Sequence, residues 1–222
     1  METNNVWAVI PAYNEEKSIA GIIKKTKKYV KNVVVVDDGS QDKTKEITER
    51  LGAIVLRHVI NLGKGAALKT GCDFAVKNGV KFIVALDADA QHNPDNIPRF
   101  IEKLRKYDMV FSYRRASSKM PLVLRFGNWL ISNVARVLYG IKLKDTQCGF
   151  RAFSKEAYKK IRWNVSDYSM ESEMIARAGK QRLKYVQIPI ETIYSDKYKG
   201  TTIIDGIKIV LNMIWWKLFN SK

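Results

Sequence analysis

A chain of 222 residues with 46% hydrophobic residues supports one sizeable α/β core, is too short for two comfortable domains, and does not have the composition of a disordered protein. Its 39 Lys and Arg against 22 Asp and Glu give a net charge of +17, so its partners are polyanions: nucleic acid, an anionic membrane surface or phosphorylated substrates. The two cysteines, Cys72 and Cys148, match neither a zinc site nor a disulfide framework, which points to a reduced cytoplasmic protein, and Met1–Asn5 lacks the basic and apolar regions of a signal peptide.

The first half alternates regularly. Val6–Ile10 reads as a strand, closed by Pro11-Ala12-Tyr13-Asn14-Glu15-Glu16, and Glu15–Val30 carries Ile19, Ile22, Ile23 and Val30 as an amphipathic helix. The β-branched run Val33–Val36 ends in Asp37-Asp38-Gly39-Ser40 and is followed by a helix over Asp42–Leu51. Ile54–Leu56 is a third strand, and Asn61-Leu62-Gly63-Lys64-Gly65 leads into a helix over Lys64–Lys77. Phe82–Leu86 is a buried strand that runs into Asp87-Ala88-Asp89, with a helix near Asn96–Lys106 and a fifth strand at Met109–Ser112. Such alternation implies right-handed crossovers and a mainly parallel sheet covered on both faces.

The second half is less regular. Leu122–Leu138 is a helix with apolar residues around most of its circumference, bearing Arg125 and Arg136. Gln147–Phe153 is expected as a strand, Glu171–Ala178 as a helix, and Tyr185–Ile190 as a strand. The segment from Glu191 to Thr202 is expected as a loop. There is no repeat or linker, so the reading is one catalytic domain over 1–200 and an amphipathic helix over 201–222.

No segment reaches the ~18 uninterrupted apolar residues that span a bilayer. Ile203–Phe219 comes nearest, broken only by a narrow polar stripe of Asp205, Lys208, Asn212 and Lys217. It is either a helix packed on the core or one lying at a membrane interface; Trp215 and Trp216 in a basic tail favour the interface. No RNP-like motif, zinc finger or helix-turn-helix accompanies the lysines, so the membrane surface is the better polyanion and nucleic acid is not expected.

Asp87 and Asp89 are the centre of the functional reading. On a strand, residues i and i+2 face the same side, and two carboxylates aimed at one point repel unless a cation lies between them. Oxygen donors suit Mg²⁺ or Mn²⁺ shared with a substrate phosphate. An isolated D-x-D is more often a solvated turn. Here polar clusters close three strands, and ligands of open parallel sheets bind at those carboxyl ends. Taken singly, Ser40 or Asp42 is accounted for as a helix cap, and Asn14 or Glu15 as a helix start. The glycines around Lys64 suit close approach to a phosphate at a helix N-terminus, but the segment is not a Walker A loop and taken alone reads better as a plain turn.

The segments PAYNEE, VVDDGSQDKT, NLGKGAA, DADAQHNP and DTQCGFR (Asp145 to Arg151) together resemble the family-2 glycosyltransferases. The similarity is to the polyprenyl-phosphate group typified by dolichyl-phosphate mannose synthase, and it spans roughly Val6 to Ile190. The resemblance implies a GT-A fold, a nucleotide-binding αβα sandwich. It further implies that Pro11, Tyr13, Glu15 and Asp38 cradle the nucleoside, with Lys64 near base and ribose. Asp87, Asp89 and Gln91 would hold the metal and donor diphosphate. Arg114 would meet phosphate and Arg125 the acceptor phosphate, so that Asp89, Arg114 and Arg125 carry catalysis. Ser112-Tyr113-Arg114 departs from the common Gly-Ser-Arg at this place.

The implied reaction is inverting transfer of a sugar from GDP-mannose, UDP-glucose or UDP-N-acetylglucosamine to a polyprenyl (dolichyl) phosphate at the cytoplasmic membrane face. An anionic acceptor needs no strong base; for a hydroxyl acceptor, Glu171 or Glu173 is a base candidate, or else part of a polar helix face. Relatives with transmembrane helices suggest either peripheral attachment here or a membrane-protein partner. The rivals are a family-2 transferase acting on a polysaccharide or lipid-linked oligosaccharide, and a non-catalytic basic module that binds membrane or nucleic acid.

Overall fold

The computed structural model describes residues 5–114, 122–191 and 203–219; the side chains of 122–126, Arg125 included, and of 203–205 lie outside that description, as does the expected loop over 192–202. Seven strands form one sheet: β1 (Val6–Ala12), β2 (Asn32–Asp37), β3 (Ile54–Arg57), β4 (Phe82–Ala85), β5 (Met109–Arg114), β6 (Arg151–Ser154) and β7 (Tyr185–Ile190). Their order is β3-β2-β1-β4-β6-β5-β7. β1 pairs in parallel with β2 and β4, β2 with β3, and β5 with β7, while β6 runs antiparallel between β4 and β5.

The central strands are apolar throughout because both sheet faces are covered, as a buried parallel sheet requires. Period-2 alternation then divides them between two layers. Val9, Val34, Val36 and Ile83 pack beneath α3 (Lys64–Lys77), α5 (Leu122–Tyr139), α6 (Lys155–Ile161), α7 (Met170–Lys180) and α8 (Ile203–Phe219). Ala8, Ile10, Val33, Val35 and Val84 pack on the other side, against α1 (Ile19–Thr26), α2 (Thr44–Arg50) and α4 (Ile97–Lys103). The result is the expected αβα sandwich with a mainly parallel sheet.

Two expected elements begin later than read, and one helix is new. Helix α1 starts at Ile19 because Glu15–Ser18 form a turn, in which the amides of Ser18 and Ile19 both donate to the Glu15 carbonyl. The strand expected over Gln147–Phe153 contracts to β6, since Asp145–Phe150 is a loop tied by side-chain bonds. Helix α6 was not foreseen; the Ser154 hydroxyl accepts from the Ala157 amide and caps it directly after the strand.

The C-terminal helix packs on the core through one face and leaves the other exposed, so its core-packed reading holds. Ile209, Met213 and Trp216, spaced i, i+4 and i+7, are buried in the core beside Ile131, Ala135 and Tyr139 of α5. The Tyr139 hydroxyl donates to the Met213 carbonyl and the Lys180 ammonium to the Trp216 carbonyl. The opposite face leaves Ile207, Leu211, Ile214, Trp215, Leu218 and Phe219 exposed. Among the described residues no helix is long and apolar enough to cross a membrane.

Candidate active site

The carboxyl ends of β1, β2 and β4 lie side by side, and the loops leaving β1 and β2 are bonded to each other. The amides of Asn14, Glu15 and Glu16 donate to Ser40 Oγ, Thr44 Oγ1 and Asp42 Oδ2 at 2.9, 2.8 and 3.0 Å, and the Gln41 amide returns a bond to Asn14 Oδ1. Asn14 holds a left-handed φ of 54° to present these donors. Residues that read singly as helix caps thus join two strand-end loops.

Asp38 organises the next loop. Its Oδ1 accepts from the Leu62 amide (3.0 Å) and lies 2.6 Å from His58 Nδ1; its Oδ2 accepts from the Gly63 amide at 2.9 Å. His58 Nε2 sits 3.0 Å from Thr70 Oγ1, which fixes the ring between the two partners.

These loops wall a cleft of about 480 Å³ lined by Pro11, Tyr13, Glu15, Asp38, Lys64, Asp87 and Asp89. Seven residues expected at the site therefore meet in one place. Gln91 and Arg114 are not among its walls, and the Arg125 side chain is outside the described residues. Asn61, Asp167 and Tyr168 also line the cleft and were missed. Asp167 accepts from the Ser169 amide, so its local sequence signal is that of a turn.

The D-x-D segment closes β4 with a tight reversal. Ala90 adopts a φ of 61°, sparsely populated for a residue with a Cβ, and the Gln91 amide donates to Asp89 Oδ1 at 3.0 Å. The Lys64 ammonium lies 2.8 Å from Asp87 Oδ1 and 2.9 Å from Glu171 Oε1. Burial alone would lower the lysine pKa, but the two carboxylates overcome it and raise it. Asp87 is lowered: burial opposes its charge, and Lys64 together with His92 and Arg151 outweighs burial. Asp89 is raised, by burial first and by the like charge of Asp87 second. Among the described residues no three His, Cys, Asp or Glu side chains cluster closely enough to hold a metal alone.

The glycines beside Lys64 have a packing role. A Cβ on Gly63 would lie 2.5 Å from the Ser166 carbonyl oxygen, and one on Gly65 would lie 2.8 Å from the Ser166 carbonyl carbon. The Ala66 amide donates to that same Ser166 oxygen, and Trp163 Nε1 donates to the Gly65 carbonyl at 2.8 Å. The start of α3 is packed against the 163–168 segment, so its glycines admit the close approach of that backbone.

Of the two base candidates, Glu173 is fixed: its carboxylate accepts the amides of Asn164 and Val165 and pairs with Arg177. Glu171 is 2% exposed and holds Lys64. Beyond the cleft, Arg114 at the end of β5 forms a two-nitrogen pair with Asp145. Burial pushes the Cys148 thiol up to about 11; it lies 2.9 Å from Ser112 Oγ and 3.5 Å from His92 Nε2.

A mainly parallel αβα sandwich with a paired-carboxylate turn at the strand ends, over a cleft of nucleotide size, is the architecture of GT-A glycosyltransferases. The chain belongs to glycosyl transferase family 2, whose model matches residues 7–162. It is 40% identical to an uncharacterized protein of Methanocaldococcus jannaschii over 97% of this chain and 93% of that one. It is 32% identical to the UDP-N-acetylglucosamine–dolichyl-phosphate N-acetylglucosaminyltransferase of Methanococcus voltae, over 96% of each chain. Among solved structures, glucosyl-3-phosphoglycerate synthase of Mycobacterium tuberculosis, in complex with Mn²⁺, UDP and its product, shares the fold. The TM-score is 0.71 at 21% identity, covering 98% of this chain and 79% of that one.

Proposed function

We propose that this glycosyltransferase moves a sugar from a nucleotide sugar to a polyprenyl phosphate, with inversion at the anomeric carbon. The observation that carries the reading is the convergence of Asp87 and Asp89 with Tyr13, Asp38 and Lys64 on one cleft. Pro11, Tyr13, Glu15 and Asp38 form the nucleoside side, and Lys64 steadies the Asp87 end. The relative from Methanococcus voltae supports a dolichyl-phosphate acceptor, as does an undecaprenyl-phosphate mannosyltransferase of Micrococcus luteus, 28% identical over 96% of this chain.

The donor set fits a hard divalent ion. Asp89 is raised by burial first and by the like charge of Asp87 second, both of which a cation offsets, and Asp87, Asp89 and the Gln91 amide oxygen offer only oxygen ligands. Mg²⁺ or Mn²⁺ held there would neutralise charge on the departing diphosphate. Arg114 and Arg125 are assigned to the acceptor phosphate. That acceptor is already anionic, so positioning replaces a strong base. The saturation of Glu173 and the pairing of Glu171 with Lys64 support a phosphate over a hydroxyl acceptor.

Residues 1–200 are the catalytic unit in this reading, and 201–222 its membrane-facing helix. The exposed apolar face of α8, beside exposed Trp129, Leu130 and Val137 of α5, supports peripheral attachment to a membrane surface. The catalytic cleft belongs at the cytoplasmic face, where nucleotide sugars are made, with a membrane-protein partner as the alternative anchor.

The test is transfer in detergent with Mg²⁺ or Mn²⁺, a short polyprenyl phosphate, and labelled UDP-N-acetylglucosamine, UDP-glucose or GDP-mannose offered separately. Label entering the organic phase with one donor, and lost with EDTA, is the expected result. Label that moves only to a saccharide acceptor overturns the assignment.

A further inference from the structure

The loop from Asp145 to Arg151 passes the donor site at Gly149, where a Cβ would collide with Asp87 Oδ2, and it is among the best-bonded parts of the molecule. Arg151, 2% exposed, donates to the carbonyls of Thr146, Cys148 and Glu171 at 2.6, 2.8 and 3.0 Å. The Thr146 amide donates to Asn128 Oδ1 on α5, one turn beyond Arg125. At the head of the loop Asp145 is 4% exposed. Its Oδ2 accepts from Arg114 Nε at 2.7 Å and from the Arg114 amide at 3.3 Å; its Oδ1 accepts from Arg114 Nη2 at 3.2 Å and the Gln147 amide at 3.0 Å.

We propose that Asp145 is a positioning residue that fixes the Arg114 guanidinium in one orientation for the acceptor phosphate. The inference rests on the assignment of Arg114 to that phosphate. An arginine at a strand end samples many rotamers, and a planar fork met by two carboxylate oxygens is confined to one. The carboxylate is itself rigid, since its oxygens also take two backbone amides.

The electrostatics run against the geometry, which makes the role testable. If only the charge of Arg114 mattered, a buried carboxylate beside it would weaken phosphate binding, and Asp145→Asn would improve the acceptor KM. If orientation matters, the same nearly isosteric change is harmful.

The experiment uses the full chain in the transfer assay above, comparing Asp145→Asn, Arg114→Ala and the double variant. Donor KM, acceptor KM, kcat, nucleotide affinity and melting temperature are recorded for each. Asp145→Asn is expected to lower kcat/KM for the acceptor by about tenfold, with donor KM and nucleotide affinity within about twofold. The double variant is expected to be no worse than Arg114→Ala, because the residues act as one unit. Asp145→Asn kinetics equal to or better than wild type overturn the proposal, as does a multiplicative double variant. Parallel loss of nucleotide affinity also overturns it, since that marks a merely structural role. If Asp145→Asn does not fold, Asp145→Glu, which keeps the charge and displaces the fork, is held to the same kinetic pattern. Arg114→Ala with normal acceptor kinetics removes the acceptor assignment itself, a result separable from failure of the Asp145 step.

Discussion

Lys64 donates to Asp87 across 2.8 Å, joining the first residue of α3 to the residue that ends the apolar run of β4. The same ammonium holds Glu171 on α7, so one cation serves two carboxylates from distant parts of the chain. Lys64 is only 19% exposed, and water does little to replace it. Lys64→Met removes the hydrogen-bonded counter-charge of both acids, and the expected loss is about 3 kcal/mol of folding stability. Denaturant unfolding of the two proteins measures it; equal midpoints would show that the acids relax outward to solvent.

Asp89 stands on the other side of that balance. Its pKa is raised in the fold, so its charge costs stability in the absence of bound cation. Asp89→Ala is expected to abolish transfer while melting at the same temperature as the parent, or slightly higher, in EDTA. Transfer with ordinary metal dependence would sink the assignment of Asp89 to the metal.

The two faces of α8 are separable by mutation. Met213→Asp places a charge in the core and is expected to unfold the protein or cost about 3 kcal/mol or more. Leu218→Ser with Phe219→Ser changes only exposed side chains, so the melting temperature should hold while sedimentation with anionic liposomes falls several-fold. Equal liposome binding by the double variant would place the membrane contact elsewhere.

An acid-labile tie lies away from the cleft. Asp73 on α3 accepts from Arg162 Nε and Nη2 at 2.9 and 2.8 Å and from the Tyr158 hydroxyl at 2.7 Å. Burial pushes its carboxyl up, but Arg162 and Tyr158 outweigh burial and hold it below its ordinary value of 3.8. A depressed carboxyl contributes stability above its unfolded pKa, and that contribution is lost as pH falls through the folded value. Asp73→Asn should therefore flatten the acid limb of stability below about pH 4, by less than 1 kcal/mol because the pair is half exposed. Unfolding midpoints between pH 2 and 7 test it, and parallel curves for the two proteins would discount the tie.

What the sequence determined by itself was whatever local pattern encodes. The alternating apolar runs of the first half, the D-x-D closing β4, and the length of the final helix all follow from periodicity and from residues a few positions apart. Seven of the expected site residues meet in the cleft because strand ends in a parallel sheet are neighbours by topology, before any side chain is placed.

Only the tertiary structure decided matters that depend on partners far away in the chain. Gly63 and Gly65 read as a turn or a phosphate loop, and their packing is visible only when Ser166 is seen against them, 103 and 101 positions further on. Nothing around Glu173 distinguishes it from Glu171 until Asn164, Val165 and Arg177 are found on one and Lys64 on the other. The antiparallel insertion of β6 likewise has no local signal, because a short apolar strand reads the same in either direction. Local sequence encodes conformation and amphipathicity; which groups are neutralised, covered or left exposed is decided by long-range packing that brings distant charges within hydrogen-bond reach.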